Sequence, residues 1–180
     1  MWQPHDDGLR NPPVELTSLR PCTTTEGKRM SAITVLFGTE SGNSEMVAED
    51  ICKSLEQAGI RSECFGMEDY HVDRLPEERT VVIITSTYGE GDLPETAEPF
   101  FNALISSKPD LSAVRFAAFG LGDSSYDTYN RGIRTLTVAF ADLGATQLGE
   151  TGFHDADSGL DPSQVALEWL AGIPMLQAQA

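Results

Sequence analysis

The chain has 180 residues, with 12 Lys+Arg against 28 Asp+Glu, a formal charge of −16 and 40% apolar residues. That length and apolar fraction predict one domain with a real core. The charge excludes a nucleic-acid binder that works by phosphate neutralisation and a protein that docks on anionic membranes, and its natural complement is a basic partner.

The charge is unevenly spread. Residues 1–30 carry Arg10, Arg20, Lys28 and Arg29 against Asp6, Asp7, Glu15 and Glu26, so the remaining chain holds all of the excess, 8 basic residues against 24 acidic ones. Residues 1–30 also hold four of the ten prolines and show neither helical nor strand periodicity, which predicts a poorly ordered extension. The functional domain is expected to begin near Met30 and run over 31–180. The three cysteines, Cys22, Cys52 and Cys64, have no CxxC spacing, which suggests neither a disulfide framework nor a zinc site. Reduced thiols in a cytoplasmic protein fit best, with Cys52 and Cys64 in structural positions. No stretch is long enough to span a bilayer. The first residues lack the basic and apolar regions of a signal peptide.

Ala32–Phe37 reads as a buried strand. Ser44–Ala58 places Met46, Val47, Ile51, Leu55 and Ala58 at helical spacing, and Gly59 is set to end that helix. Ile60–Phe65 is a second strand, and the β-branched run Thr80–Thr85 is the strongest central strand. Glu95–Ser106 reads as a helix, Val114–Phe119 as a strand, Arg131–Leu143 as a helix and Ala145–Gly149 as a weak strand. Pro162–Leu170 is a last helix, with Pro162 tolerated in its first turn. The alternation predicts an α/β fold, a doubly wound parallel sheet in three layers. Ligands of such sheets bind outside the carboxyl ends of the strands, where strand order switches. The loops after strands one, three and four are therefore the candidate site.

The first loop, Thr39, Glu40, Ser41, Gly42, Asn43 and Ser44, supplies hydroxyls, an amide and a glycine ahead of a helix N-terminus, and it contains no Lys or Arg. Free N–H groups there favour an anion. Neutral donors suit a terminal monophosphate, and neither Walker A nor GxGxxG is present. The bland alternative is a hydroxyl N-cap and a permissive turn. The second loop, Ser86, Thr87, Tyr88 and Gly89 followed by Glu90, Gly91 and Asp92, sets one aromatic between hydroxyls and glycines. The third, Gly120–Asn130, includes Leu121, Gly122, Asp123, Tyr126, Tyr129 and Asn130. Its tyrosines read as walls of a flat-ligand pocket, or alternatively as helix-face core residues. A flat heteroaromatic with a monophosphate tail, such as FMN, fits the three loops together. His71 and His154 are isolated and read as surface residues, and Trp169 as packing. No catalytic residue and no metal site is expected.

At these residues the sequence resembles the flavodoxins over roughly residues 31–172, in a short-chain, MioC-like form that is also similar to the FMN domains of diflavin reductases such as sulfite reductase flavoprotein. The resemblance implies a five-stranded parallel sheet of order 2-1-3-4-5. It implies a phosphate held by Thr39 through Ser44, and Tyr88 and Tyr126 on opposite faces of the FMN ring. Gly89, Leu121, Gly122, Asp123, Tyr129 and Asn130 would line that ring, and Asp155 or Asp157 would touch the ring or ribityl edge. The acids of the ring loops would hold the reduced flavin at low potential. The implied role is a monomeric electron carrier between basic-surfaced redox proteins, a flavodoxin or ferredoxin reductase on one side and acceptor enzymes on the other. The alternative is an NAD(P)H-dependent FMN quinone reductase. A response-regulator domain is disfavoured, because the end of the third strand reads Thr85-Ser86-Thr87 where a phosphoacceptor Asp is needed.

Overall fold

The computed structural model describes residues 32–173. The amino-terminal extension, its boundary at Met30 and Cys22 lie outside the described residues.

Buried β-branched and aliphatic runs form the centre. In chain order the elements are β1 (Ile33–Gly38), α1 (Asn43–Gln57), β2 (Ser62–Gly66), β3 (Thr80–Ser86), α2 (Glu98–Ser107), β4 (Arg115–Gly122), α3 (Arg131–Asp142), β5 (Thr146–Gln147), β6 (Gly152–Asp155) and α4 (Pro162–Ala171). Two short 3₁₀ turns, Met67–Asp69 and Val72–Glu77, carry the chain from β2 to β3, and a third follows β6. All strand pairings are parallel, in the order β2-β1-β3-β4-β5, as the sequence pattern implies.

Strand alternation divides the core into two layers. Leu36, Val81, Ile83, Phe116 and Ala118 pack under α2 and α3 with Phe100, Leu104, Ile133, Leu136 and Phe140. Ile33, Val35, Val82, Ile84, Ala117 and Phe119 pack under α1 and α4 with Val47, Ile51, Ala166 and Leu170. β3 is buried on both faces from Thr80 to Thr85, which is why its sequence is a continuous apolar run rather than an alternating one. Trp169 packs as expected, its ring 5.2 Å from that of Phe119 and its Nε1–H donating to the Glu150 carbonyl.

Three differences from the sequence reading bear on the site. α2 begins at Glu98 rather than Glu95. The turn before it is held instead by Thr96, whose hydroxyl accepts the Thr39 N–H and donates to the Thr39 carbonyl, both at 2.8 Å. β4 continues through Gly120, Leu121 and Gly122, so these three residues are strand and not loop. The cause is β6, absent from the sequence reading, which pairs with Phe119–Gly122 along the sheet edge that β5 opens at Arg115 and Phe116. The fifth strand position is thus shared by two short segments. β6 also corrects His154, which is only 7% exposed, with its Nε2 2.9 Å from the Leu160 carbonyl oxygen.

Candidate functional site

The carboxyl ends of β1, β3 and β4 bring the three loops to one edge of the sheet, on either side of the switch in strand order between β1 and β3. The first loop is tied down at both ends. Thr39 is hydrogen-bonded to Thr96, and its own hydroxyl accepts the Gly42 N–H at 2.9 Å. Gly42 takes a left-handed conformation, φ +87°, that lets the chain enter α1 without a side-chain cap. The hydroxyl N-cap that was the bland alternative is therefore not formed. The Ser44 side chain is fully buried, and its Oγ has no hydrogen-bond partner among the described residues.

The second loop is a tight turn. Tyr88 and Asp92 bridge as an antiparallel pair, and the Tyr88 carbonyl accepts from the N–H groups of Gly91 and Asp92. It is stitched to the end of β4 and to α3 at three points. Thr87 N–H donates to the Leu121 carbonyl at 3.0 Å, Gly132 N–H donates to the Thr87 hydroxyl at 3.1 Å, and the Arg131 guanidinium donates to the Glu90 carbonyl at 3.4 Å. The third loop is wound by Asp123, whose carboxylate accepts from the Ser125 N–H and hydroxyl. Asn130 closes it in a left-handed conformation, φ +54°, fully buried, with its amide N–H donating to the His154 carbonyl.

Between the second and third loops lies a cleft of about 650 Å³, lined by Thr87, Tyr88, Gly89, Glu90, Asp123, Ser125, Tyr126, Asp127, Thr128 and Tyr129. That is within the range of small-molecule sites, roughly 300–1,000 Å³. Tyr88 is 52% exposed and Tyr126 63% exposed, so neither packs in the core. Tyr129 is half-buried against Phe153, ring centroids 6.3 Å apart. Burial first, and then the nearby Asp155 carboxylate, push its hydroxyl upward in pKa. The cleft therefore brings together Thr87, Tyr88, Gly89, Asp123, Tyr126 and Tyr129 of the expected residues. Glu90, Ser125, Asp127 and Thr128 join them on its walls. Ser86, Leu121, Gly122 and Asn130 stand behind the wall, and Thr39–Ser44 form a separate loop beside it.

Asp155 and Asp157 do not line the cleft. Asp155 instead braces it, because one carboxylate oxygen accepts the Ser124 N–H at 2.9 Å and the Asp157 N–H at 3.1 Å. Hydrogen bonds from the Ser124 side chain and backbone hold the Asp155 carboxyl below its ordinary value. A depressed carboxylate contributes stability above its unfolded pKa and loses it as the pH falls through the carboxylate range. Asp155→Asn is expected to lower the stability of the apoprotein at neutral pH. In urea unfolding the difference between variant and parent should shrink as the pH falls below about 4 toward the depressed value of Asp155.

These residues fit FMN. Ser44 Oγ at the start of α1, Ser86 Oγ at the end of β3 and Asn130 Oδ1 before α3 are buried oxygens without partners among the described residues. The N-terminus of α1 points uncapped N–H groups at a loop without cations, as a monophosphate needs. Among the described residues there is no cluster of His, Cys, Asp and Glu able to hold a metal ion, and no helix long and apolar enough to cross a membrane.

The flavodoxin family model matches residues 35–169. Protein MioC of Escherichia coli is 40% identical over 144 residues, covering 78% of this chain and 95% of its own. The sulfite reductase [NADPH] flavoprotein alpha-component of Neisseria meningitidis is 36% identical over 146 residues, 81% of this chain but 24% of that larger protein. Among solved structures, a cysteine-to-serine variant of flavodoxin from Pseudomonas aeruginosa superposes with a TM-score of 0.74 at 28% identity, covering 82% of this chain and 99% of the other. A parallel sheet of this order, with a phosphate-type loop free of cations and two aromatic loops at its switch point, agrees with all of these likenesses, and the chain belongs to the flavodoxin family of FMN-binding electron-transfer proteins.

Proposed function

We propose that this chain is a carrier of single electrons between a reductase and acceptor enzymes, with no substrate chemistry of its own. The observation that carries the proposal is the open cleft of the second and third loops, flanked by the exposed Tyr88 and Tyr126. An edge that presents a flat cofactor to solvent suits transfer to a docking protein. A reductase of small quinones needs a covered cavity instead.

FMN supplies the electron transfer when bound. The protein binds, orients and tunes it. Thr39, Glu40, Ser41, Gly42, Asn43 and Ser44 would hold the phosphate. Ser86 and Thr87 fix the base of the second loop, and Tyr88 and Tyr126 would flank the ring. Gly89, Asp123 and Tyr129 would line its edge, while Leu121, Gly122 and Asn130 hold the strand end and turn behind them. Glu90, Asp123 and Asp127 on the cleft walls disfavour added negative charge on the cofactor.

Basic-surfaced partners, supported by the acidic excess after residue 30, and a cytoplasmic location are part of the same reading. The rate at which a flavodoxin or ferredoxin reductase reduces the holoprotein is expected to fall steeply as ionic strength rises, since exposed charges more than about 8 Å apart are screened at physiological salt. A rate indifferent to salt removes the charged-partner reading. The carrier role itself is tested by incubating the yellow holoprotein with NADPH and a quinone. Turnover only after a reductase is added is the expected result, and turnover without one overturns it.

A further inference from the structure

The flank of α1 that faces the edge strand β2 carries a pair of thiols that the cofactor site does not use. Cys52 lies on α1 and Cys64 on β2; both are half-buried and unbridged. Both pack against the core layer beneath α1 and α4. Strand alternation turns Ser62 and Cys64 to the same side of β2. The Ser62 hydroxyl donates to the Cys52 carbonyl at 3.2 Å, so the helical turn bearing Cys52 is pinned to the strand that bears Cys64. Across that seam Cys52 and Cys64 face one another, each near enough to shift the other's titration.

We propose that Cys52 and Cys64 are a modification site, closing to an intramolecular disulfide on exposure to a low-molecular-weight disulfide such as oxidised glutathione, and so clamping α1 to β2. The Cys52 thiolate attacks one sulfur of the external disulfide and expels one thiolate. Cys64 then gives up its proton and attacks the Cys52 sulfur of the mixed disulfide, forming the Cys52–Cys64 bond and expelling the second thiolate. Two protein thiols are oxidised, one external disulfide is reduced to two thiols, and the two protons go to the leaving groups. Cys52 is the better first nucleophile. The neighbouring Cys64 thiol lowers its pKa against the opposing effects of burial, Glu56 and Glu49. Cys64 is pushed the other way by its contact with Cys52 and by burial.

The test uses the full-length holoprotein, reduced, desalted, equilibrated with oxidised glutathione and then alkylated. Trypsin cuts after Lys53 and Arg61, which places the two cysteines in separate peptides. The expected result is one linked pair containing Cys52 and Cys64, the loss of both from the alkylated pool, and a melting temperature raised by roughly 5–10 °C. C52S and C64S, each carrying FMN as the parent does, should lose the oxidative rise in melting temperature. Three results overturn the proposal: stable glutathione adducts on Cys52 or Cys64, linkage of either to Cys22, or a rise in melting temperature that survives in C52S or C64S. None of them depends on whether the protein proves to be an electron carrier.

Discussion

Gly91→Ala is expected to lower the stability of the apoprotein by about 2–4 kcal/mol and to weaken FMN binding about tenfold or more. Gly91 is buried where the second and third loops meet, at φ +102°, a region in which L side chains are strained. A Cβ there would lie 2.7 Å from Arg131 Cδ and 2.9 Å from Thr128 Cβ. The arginine tail can swing aside, but Thr128 Cβ is anchored to the backbone of the cleft wall. The turn would have to lift away from the third loop and release the Arg131–Glu90 contact. Urea unfolding of the apoprotein reads the stability term, since bound FMN would mask it by mass action. Fluorescence titration reads the affinity. Gly89→Ala is the comparison. That position also has positive φ, +51°, but its Cβ would meet nothing nearer than Asp92 Oδ2 at 3.9 Å. Only the backbone cost of about 1 kcal/mol is expected there. Equal effects at the two glycines would show that the seam between the loops carries no strain of its own.

Tyr126→Ala is expected to raise the FMN dissociation constant by roughly 5- to 150-fold, the equivalent of about 1–3 kcal/mol for one aromatic stacking partner. The fold should not change, because this side chain is 63% exposed. The local turn is made by backbone groups, with Tyr126 N–H on the Asp123 carbonyl and Tyr129 N–H on the Tyr126 carbonyl. Tyr126→Phe keeps the ring and is expected to keep nearly all of the affinity. A titration in which Tyr126→Ala binds FMN as tightly as the parent removes the tyrosine from the site, while unchanged apoprotein stability shows that the loss is local.

The framework was legible because it rests on local patterns. The apolar run Thr80–Thr85 fits a strand buried on both faces, and the apolar spacing of residues 44–58 fits a helix with one buried side. The three loops were legible for a related reason. Glycines, hydroxyls and tyrosines between such elements make poor core and good ligand contacts, and α/β topology collects them at the strand ends.

What stayed hidden depends on contacts distant in sequence. Gly120, Leu121 and Gly122 read as loop because two glycines suppress the strand pattern. They are strand because Gly152–Asp155 pairs beside them. With that edge strand unseen, His154 read as a surface residue rather than a buried one, and the brace from Asp155 to Ser124 went unread. Asn130 read as a polar edge of the pocket, and the left-handed turn that buries it against the His154 backbone was not foreseen. The contact between Cys52 and Cys64 was equally invisible, since nothing in their spacing brings them together. By itself the sequence determined the layers, the strand order implied by its resemblance, the acidic character and the three loops, because periodicity, turn chemistry and charge are written residue by residue. Only the tertiary structure decided which loop residues face the cleft and which support it, because a side chain's role there is set by the strand or turn packed behind it.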